Sequence, residues 1–405
     1  MYDTYKMAKR IYIYLAMLLG FCFSAKASQP DSVCVSLVTI YPGSEIYELY
    51  GHTELRVTDE HGDYFFNYGL FDFNAPGFVY RFVKGETDYL CGAIPAAYAL
   101  QGYDGRRVVE QRLNLTQTQA RKVRDMLYAN ARPENATYRY KFVSDNCATR
   151  PRDIIEQALG DSLMYCPNRQ TDKPTYRNMM HRYNANYSWS RFGIDLALGC
   201  DLDTAITYRQ QMFAPVVLMY AMSSAMVKCP DGRMAPLVSA TVCLVDGNEQ
   251  GALLPPTPWY ATPLFVALVL LALVVSASIA DCRRRKVSRW LDTLIFVAYG
   301  LCGCVIFFLV FVSTHECTSP NFNALWLHPI YFALAVLPWV SKAKKILFAL
   351  HGINCVWLFA SALLLGTGVL RQELLLSFYV LMAVPMVRSF SYIFVNRLCS
   401  RETAR

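Results

Sequence analysis

Five apolar runs close this chain, and they constrain its fold more than any other feature. They cover about 260–280, 291–313, 324–340, 346–366 and 374–395. Most approach the roughly 20 residues a helix needs to cross a bilayer's hydrocarbon. Hydrocarbon offers no hydrogen bonds, so such runs must pair their backbone internally, as helices do. The third is the shortest and holds Pro329 and Pro338. The loops between them alternate in charge. Asp281-Cys282-Arg283-Arg284-Arg285-Lys286, then Lys342, Lys344 and Lys345, then Arg397, Arg401 and Arg405 are basic, whereas 314–323 and 367–373 hold only Arg371. The positive-inside rule puts the basic loops and the C-terminus in the cytoplasm. The net charge of +8 therefore reflects juxtamembrane clusters and excludes a nucleic-acid-binding face.

Everything before the first run is then exported, and the N-terminus agrees. Lys6, Lys9 and Arg10 precede an apolar stretch from Ile11 to Phe23, and Ala25-Lys26-Ala27 follows. This is the order of a secretory signal cleaved near Ala27. The predicted division is a signal peptide at 1–27, an exported domain at 28–255 and a transmembrane domain at 256–405, joined by Pro255-Pro256-Thr257-Pro258. Of fourteen cysteines, Cys34, Cys91, Cys147, Cys166, Cys200, Cys229 and Cys243 fall in the exported part. Some are expected to pair in an oxidising compartment, with connectivity open.

The exported part reads as an α+β domain with a small antiparallel sheet. Val33–Ile40, Thr53–Thr58, Tyr64–Tyr68, Val108–Leu115 and Tyr138–Val143 alternate as strands do, with a turn at 59–63. Thr116 with Gln119 forms a capping box for a helix to about Asn130. Ser144-Asp145-Asn146 caps a second helix ending at Gly160, and Ala214–Val227 is a short apolar helix.

Cys147 falls in the predicted first turn of that second helix, where free backbone N–H groups and the helix dipole favour a thiolate and can hold an oxyanion. Of the exported histidines, His52 follows Gly51 at the start of a strand, a rigid place for a general base. His61 sits in a turn, and His181 lies in a polar stretch without an evident partner. Asn67 or Glu54 would orient the imidazole, depending on the hairpin register. Arg56, Arg150 and Arg152, with Asn146, are candidate substrate contacts, the arginines for a phosphate. No Cys or His spacing fits zinc, no metal or cofactor is expected, and His315-Glu316-Cys317 reads as a plain loop.

The blocks Gly51-His52-Thr53-Glu54-Leu55-Arg56, Asn67-Tyr68-Gly69-Leu70-Phe71-Asp72-Phe73 and Asp145-Asn146-Cys147-Ala148-Thr149 resemble the periplasmic domain of the Lnb family, lipoprotein N-acyltransferases of the Bacteroidetes. The resemblance spans about 30–240, and the five-run tail suits it. A more distant similarity links the His-before-Cys order to permuted papain-like thiol enzymes. The family's thiol and imidazole map onto Cys147 and His52. The resemblance implies transfer of an acyl chain from a phospholipid, through a Cys147 thioester, to the α-amine of a diacylated lipoprotein, at the bacterial inner membrane with the catalytic domain periplasmic. The alternative is a membrane-anchored cysteine peptidase or amidase acting on cell-wall peptides.

Overall fold

The structure, a computed structural model, describes residues 32–72, 74–103, 105–167, 173–248 and 254–403. The signal at 1–27 lies outside the described residues. Seven strands form one antiparallel sheet: β1 (Cys34–Ile40), β2 (His52–Asp59), β3 (Gly62–Leu70), β4 (Asp88–Pro95), β5 (Val108–Leu113), β6 (Thr137–Arg139) and β10 (Val238–Val245), ordered β10-β5-β1-β2-β3-β4-β6. Three short strands, β7 (Leu163–Met164), β8 (Met226–Lys228) and β9 (Met234–Pro236), make a second sheet.

Period-two alternation gives the large sheet two different faces. Val35, Leu37, Leu55, Val57, Phe66 and Tyr68 are buried against Ala120, Val123 and Leu127 of the Gln117–Asn130 helix and Ile154, Ile155 and Ala158 of the Thr149–Leu159 helix. Leu218, Ala221 and Met222 of the Pro215–Ser224 helix complete this core. The opposite face carries Val38, Ile40, Phe65 and Val108 together with the polar residues His52, Glu54 and Asn67. The capping box at Thr116 and Gln119 forms as expected.

Three local expectations change. The strand predicted to Val143 ends at Arg139, because Lys141 and Asp145 exchange backbone hydrogen bonds and turn the chain. The second helix begins at Thr149 rather than at the cap residues 144–146. The described cysteines are all free thiols, so the expected pairing is not found among them.

Four helices among the described residues are long and apolar enough to cross a membrane: Pro263–Arg284, Arg289–Phe311, Ser341–Gly366 and Leu376–Leu398. The third predicted run is instead broken into Phe322–Leu325, Tyr331–Val336 and Leu337–Trp339. Pro329 and Pro338 remove donors and interrupt a continuous helix there. The broken run still extends along the bundle. Asn321 accepts from Gln372 at one end (3.1 Å), and at the other Trp339 donates to Thr293 (2.9 Å) and packs 4.6 Å from Trp290. Its bulky side chains, Trp326, Leu327 and Tyr331, are buried among the neighbouring helices.

The exported domain is docked on this bundle by hydrogen bonds. The fully buried Arg177 pairs with Asp195 (2.7 Å) and Asp203 (2.6 Å) and donates to the Gly199 carbonyl (2.8 Å). It thereby orders a segment that meets the loop before the broken run: Asn323 donates to the Asp195 carbonyl (3.0 Å) and Asn321 to that of Leu196 (3.0 Å). Arg177→Ala removes the guanidinium that joins Asp203 to the buried Asp195, leaving Asp195 with His181 alone at close range. We expect it to lower stability by about 3–5 kcal/mol. Thermal unfolding of the detergent-solubilised protein measures this, with hydrogen exchange rising first across 195–203.

Candidate active site

The site is built where β2 and β3 part. Their pairing sets Glu54 directly opposite Asn67 and extends no further toward His52. One step beyond, Gly69 faces the imidazole. A Cβ at Gly69 would lie 2.9 Å from His52 Cε1, so the ring occupies space that only glycine leaves open.

A hydrogen-bonded chain then runs along the polar face. His52 Nε2 lies 3.0 Å from Asn67 Oδ1, Asn67 Nδ2 donates to Glu54 Oε1 at 2.6 Å, and the Tyr103 hydroxyl donates to the same carboxylate oxygen at 3.0 Å. An amide oxygen only accepts, so Nε2 carries the proton and Nδ1 is left as the basic nitrogen. Glu54 is wholly buried. The alternatives Asn67 and Glu54 therefore act in series, with Asn67 touching the ring and Glu54 behind it.

Cys147 sits in the turn before the Thr149–Leu159 helix, 6% exposed. Its sulfur accepts from the Tyr140 hydroxyl at 3.7 Å, and the backbone N–H of Thr53, the residue after His52, also favours its charged form. The turn is held by Asn146, whose Oδ1 accepts from the Ala148 and Thr149 amides (2.8 Å each) and whose Nδ2 donates to the Phe142 (2.7 Å) and Phe213 (3.0 Å) carbonyls. Two consequences follow. Asn146, expected as a substrate contact, is instead fully engaged in shaping the turn. The helix-end amides of Ala148 and Thr149, expected to hold an oxyanion, already have an acceptor.

Electrostatics favour neutral partners. Burial pushes the Cys147 thiol above its usual range, against the Tyr140 and Thr53 hydrogen bonds. Burial also pulls the His52 imidazole below its ordinary range, against Glu54 and the Asn67 hydrogen bond. Glu54 is raised by the same desolvation. A permanent thiolate on the helix dipole, as the sequence suggested, is not what this environment favours. A neutral thiol and a neutral imidazole are.

The arginines expected to meet a phosphate are committed elsewhere. Arg56 is held by Asp63 (2.6 Å) and Glu110 (2.9 Å). Arg150 is held by Asp145 (2.6 Å) and lies 3.6 Å over the Tyr138 ring. Arg152 is held by Asp153 (2.7 Å) and the Arg209 carbonyl (3.0 Å). His181, which seemed partnerless, bonds Asp195 at 2.9 Å and accepts from Arg191 at 3.0 Å. Among the described residues no three His, Cys, Asp or Glu side chains gather as metal ligands.

Sequence reasoning missed Tyr103, Tyr140, Gly69 and Glu316. Glu316 accepts from the Val143 and Ser144 amides (2.6 and 3.1 Å) and the Ser144 hydroxyl (2.6 Å), so a loop of the helical bundle pins the turn that carries the thiol. Only Gly69 left a signal, lying two residues after Asn67.

Gly69→Ala is expected to displace the imidazole and reduce Cys147-dependent turnover about 10²-fold, with the melting temperature little changed. The acid limb of the rate profile should lie below pH 6.5, because His52 stays neutral and basic to lower pH than a free imidazole. Asn67→Ala removes a bond that favours the protonated ring, so it should move that limb further down and slow the reaction. A pH series on both variants checks the direction.

Comparison with known proteins agrees with this architecture. Residues 23–182 match the Lnb N-terminal periplasmic domain, and residues 256–398 match the Lnb transmembrane domain. The chain matches no curated protein and no solved structure. With both domain matches together covering most of its length, the chain belongs to the Lnb family, as a membrane protein with a periplasmic domain.

Proposed function

We propose that this protein is a thiol acyltransferase that N-acylates lipoproteins. The observation that carries the reading is a buried thiol at the end of the strand whose first residue is the Asn-oriented His52, in a domain fixed by hydrogen bonds to a membrane bundle. His52 Nδ1 takes the Cys147 proton as sulfur attacks the ester carbonyl of a phospholipid. The tetrahedral intermediate collapses to a thioester, and the lysophospholipid leaves with the proton from His52. The α-amine of a diacylglyceryl-cysteine lipoprotein then attacks the thioester. Its proton passes through His52 to the departing sulfur, giving an amide and the resting thiol. Two easier displacements replace one difficult one. Burial keeps the Tyr140 phenol protonated, so its hydroxyl and the Cys147 amide are the donors best placed for the oxyanion.

The domain is a permuted papain-like unit on this reading: a thiol opening a helix and a histidine on the adjoining sheet, in His-before-Cys order. The chain crosses the inner membrane five times, the broken run at 321–339 serving as the third passage, and its C-terminus is cytoplasmic. Non-helical backbone at membrane depth is tolerated where protein buries it, which suits the buried Trp326 and Tyr331. Both substrates keep their acyl tails in the outer leaflet, so the membrane anchor limits the search for them to two dimensions.

Mass spectrometry of a lipoprotein N-terminus from cells with and without the chain is the test. Triacyl forms should give way to diacyl forms on deletion and return with the wild-type chain but not with Cys147→Ser. His52→Ala should slow thioester formation by about 10²–10⁴-fold. Unchanged lipoproteins with altered wall fragments would instead select the amidase reading.

A further inference from the structure

A line of aromatic rings runs between the membrane bundle and the thiol. The helix Phe78–Lys84 is held against the bundle at its C-terminal end. Ser313 donates to the Val83 carbonyl (2.8 Å), the Thr314 amide donates to that of Lys84 (2.8 Å), and His315 bonds that of Phe82. Its Tyr80 ring lies 6.2 Å from Phe308, in the last turn of the Arg289–Phe311 helix. Val79 and Tyr80 are 74% and 59% exposed, so this helix offers an apolar face beside the end of a span. From it the rings follow one another: Phe82 to Phe78 and Phe78 to Phe71 at 5.9 Å each, Phe71 to Tyr89 at 4.9 Å, Tyr89 to Tyr140 at 4.5 Å. Tyr140 then reaches the Cys147 sulfur at 3.7 Å. Phe82 is exposed, and the other four rings are only partly buried. A series of partly exposed aromatic rings this long is unusual for a surface that meets only water.

We propose that this aromatic row seats an acyl chain of the donor phospholipid, from the bilayer edge to the thiol. The proposal rests on the acyl-transfer reading and adds to it where the lipid lies. Three features commit the row to a lipid tail. It is continuous with the end of a span, it is aromatic along its length with hydroxyls only on Tyr89 and Tyr140 at the inner end, and it stops at the one sulfur that the reaction needs. The same helix bears Arg81 and Lys84, paired with Asp88 (3.4 Å) and Glu86 (2.6 Å) at the surface. Such exposed pairs are weak and open to exchange for a lipid phosphate. The head group therefore stays at the interface while the ester reaches inward.

Photo-crosslinking of full-length Cys147→Ser in phosphatidylethanolamine vesicles, doped with a phospholipid bearing a diazirine in its acyl chain, tests this. Adducts are expected on the segment 71–89, and Phe71→Ser and the exposed Phe82→Ser should each reduce them. Adducts confined to the four long helices would overturn the proposal. In the catalytically intact chain the same two substitutions should slow thioester formation from long-chain phospholipid about tenfold, the loss expected for most of one ring's contact with hydrocarbon. Loading from a short-chain, water-soluble ester should be unchanged. Equal loss with both donors would mean that the rings merely support the fold, and would also overturn the proposal. Adducts on 71–89 in a wild-type chain that forms no thioester would uphold the lipid seat and reject acyl transfer.

Discussion

The register that sets Glu54 across from Asn67 is the constraint on which the site depends. A sheet's side chains alternate, so a slip of one residue would send both to the opposite, apolar face. In the observed register Leu55, Val57, Phe66 and Tyr68 enter the helix-covered core while His52, Glu54 and Asn67 share the other side. The hydrophobic pattern thus positions the polar chain without any dedicated scaffold. Where the pairing ends, the Thr53 amide is left for the Cys147 sulfur. The gap that admits the thiol and the chain that orients the base come from one piece of strand geometry.

Burial determines how such a site works. A thiolate–imidazolium pair is favoured where water or a helix dipole steadies the charges. Here the Ala148 and Thr149 amides already bond Asn146, and both reactive groups are desolvated, so the neutral forms prevail. Proton transfer is then best coupled to attack on the substrate. On the acyl-transfer reading proposed above, such a thiol reacts slowly with small electrophiles in water and is activated when an acyl group fills the site. That restraint suits an enzyme facing an oxidising compartment with an unpaired cysteine.

Much of this was legible beforehand. Period-two alternation located β1, β2, β3 and β5, and Thr116 with Gln119 marked a helix start, because each signal is local. Cys147 and His52 stood out by residue type and by their neighbours. Strand β4 and the edge strand β10 did not, since few of their residues are buried and their order comes from the strands they pair with. Arg56, Arg150 and Arg152 misled for a related reason. A cation's partner is set by tertiary contacts, and Asp63, Asp145 and Asp153 had no sequence feature marking them as acceptors. The five runs overstated helical continuity, because hydropathy registers apolar content and Pro329 and Pro338 act on geometry. Tyr140 and Glu316 were invisible, since their importance arises only when distant segments meet.

The position of Glu316 bears on why the domains form one molecule. The turn preceding Cys147 donates to the Glu316 carboxylate on the bundle's loop, while the adjacent residues 313–315 hold the end of the Phe78–Lys84 helix. One short loop thus touches both the segment bearing Cys147 and the Phe78–Lys84 helix beside the end of a span. Hydrogen bonds of this kind contribute about 1 kcal/mol each when exposed and more when charged, so several together fix the thiol's position relative to the helical bundle. A soluble hydrolase with the same His-Asn-Cys arrangement gains nothing from such a tether. An enzyme whose two substrates remain anchored in one leaflet does, because an error of even an ångström in that position falls directly on the distance between sulfur and ester carbonyl.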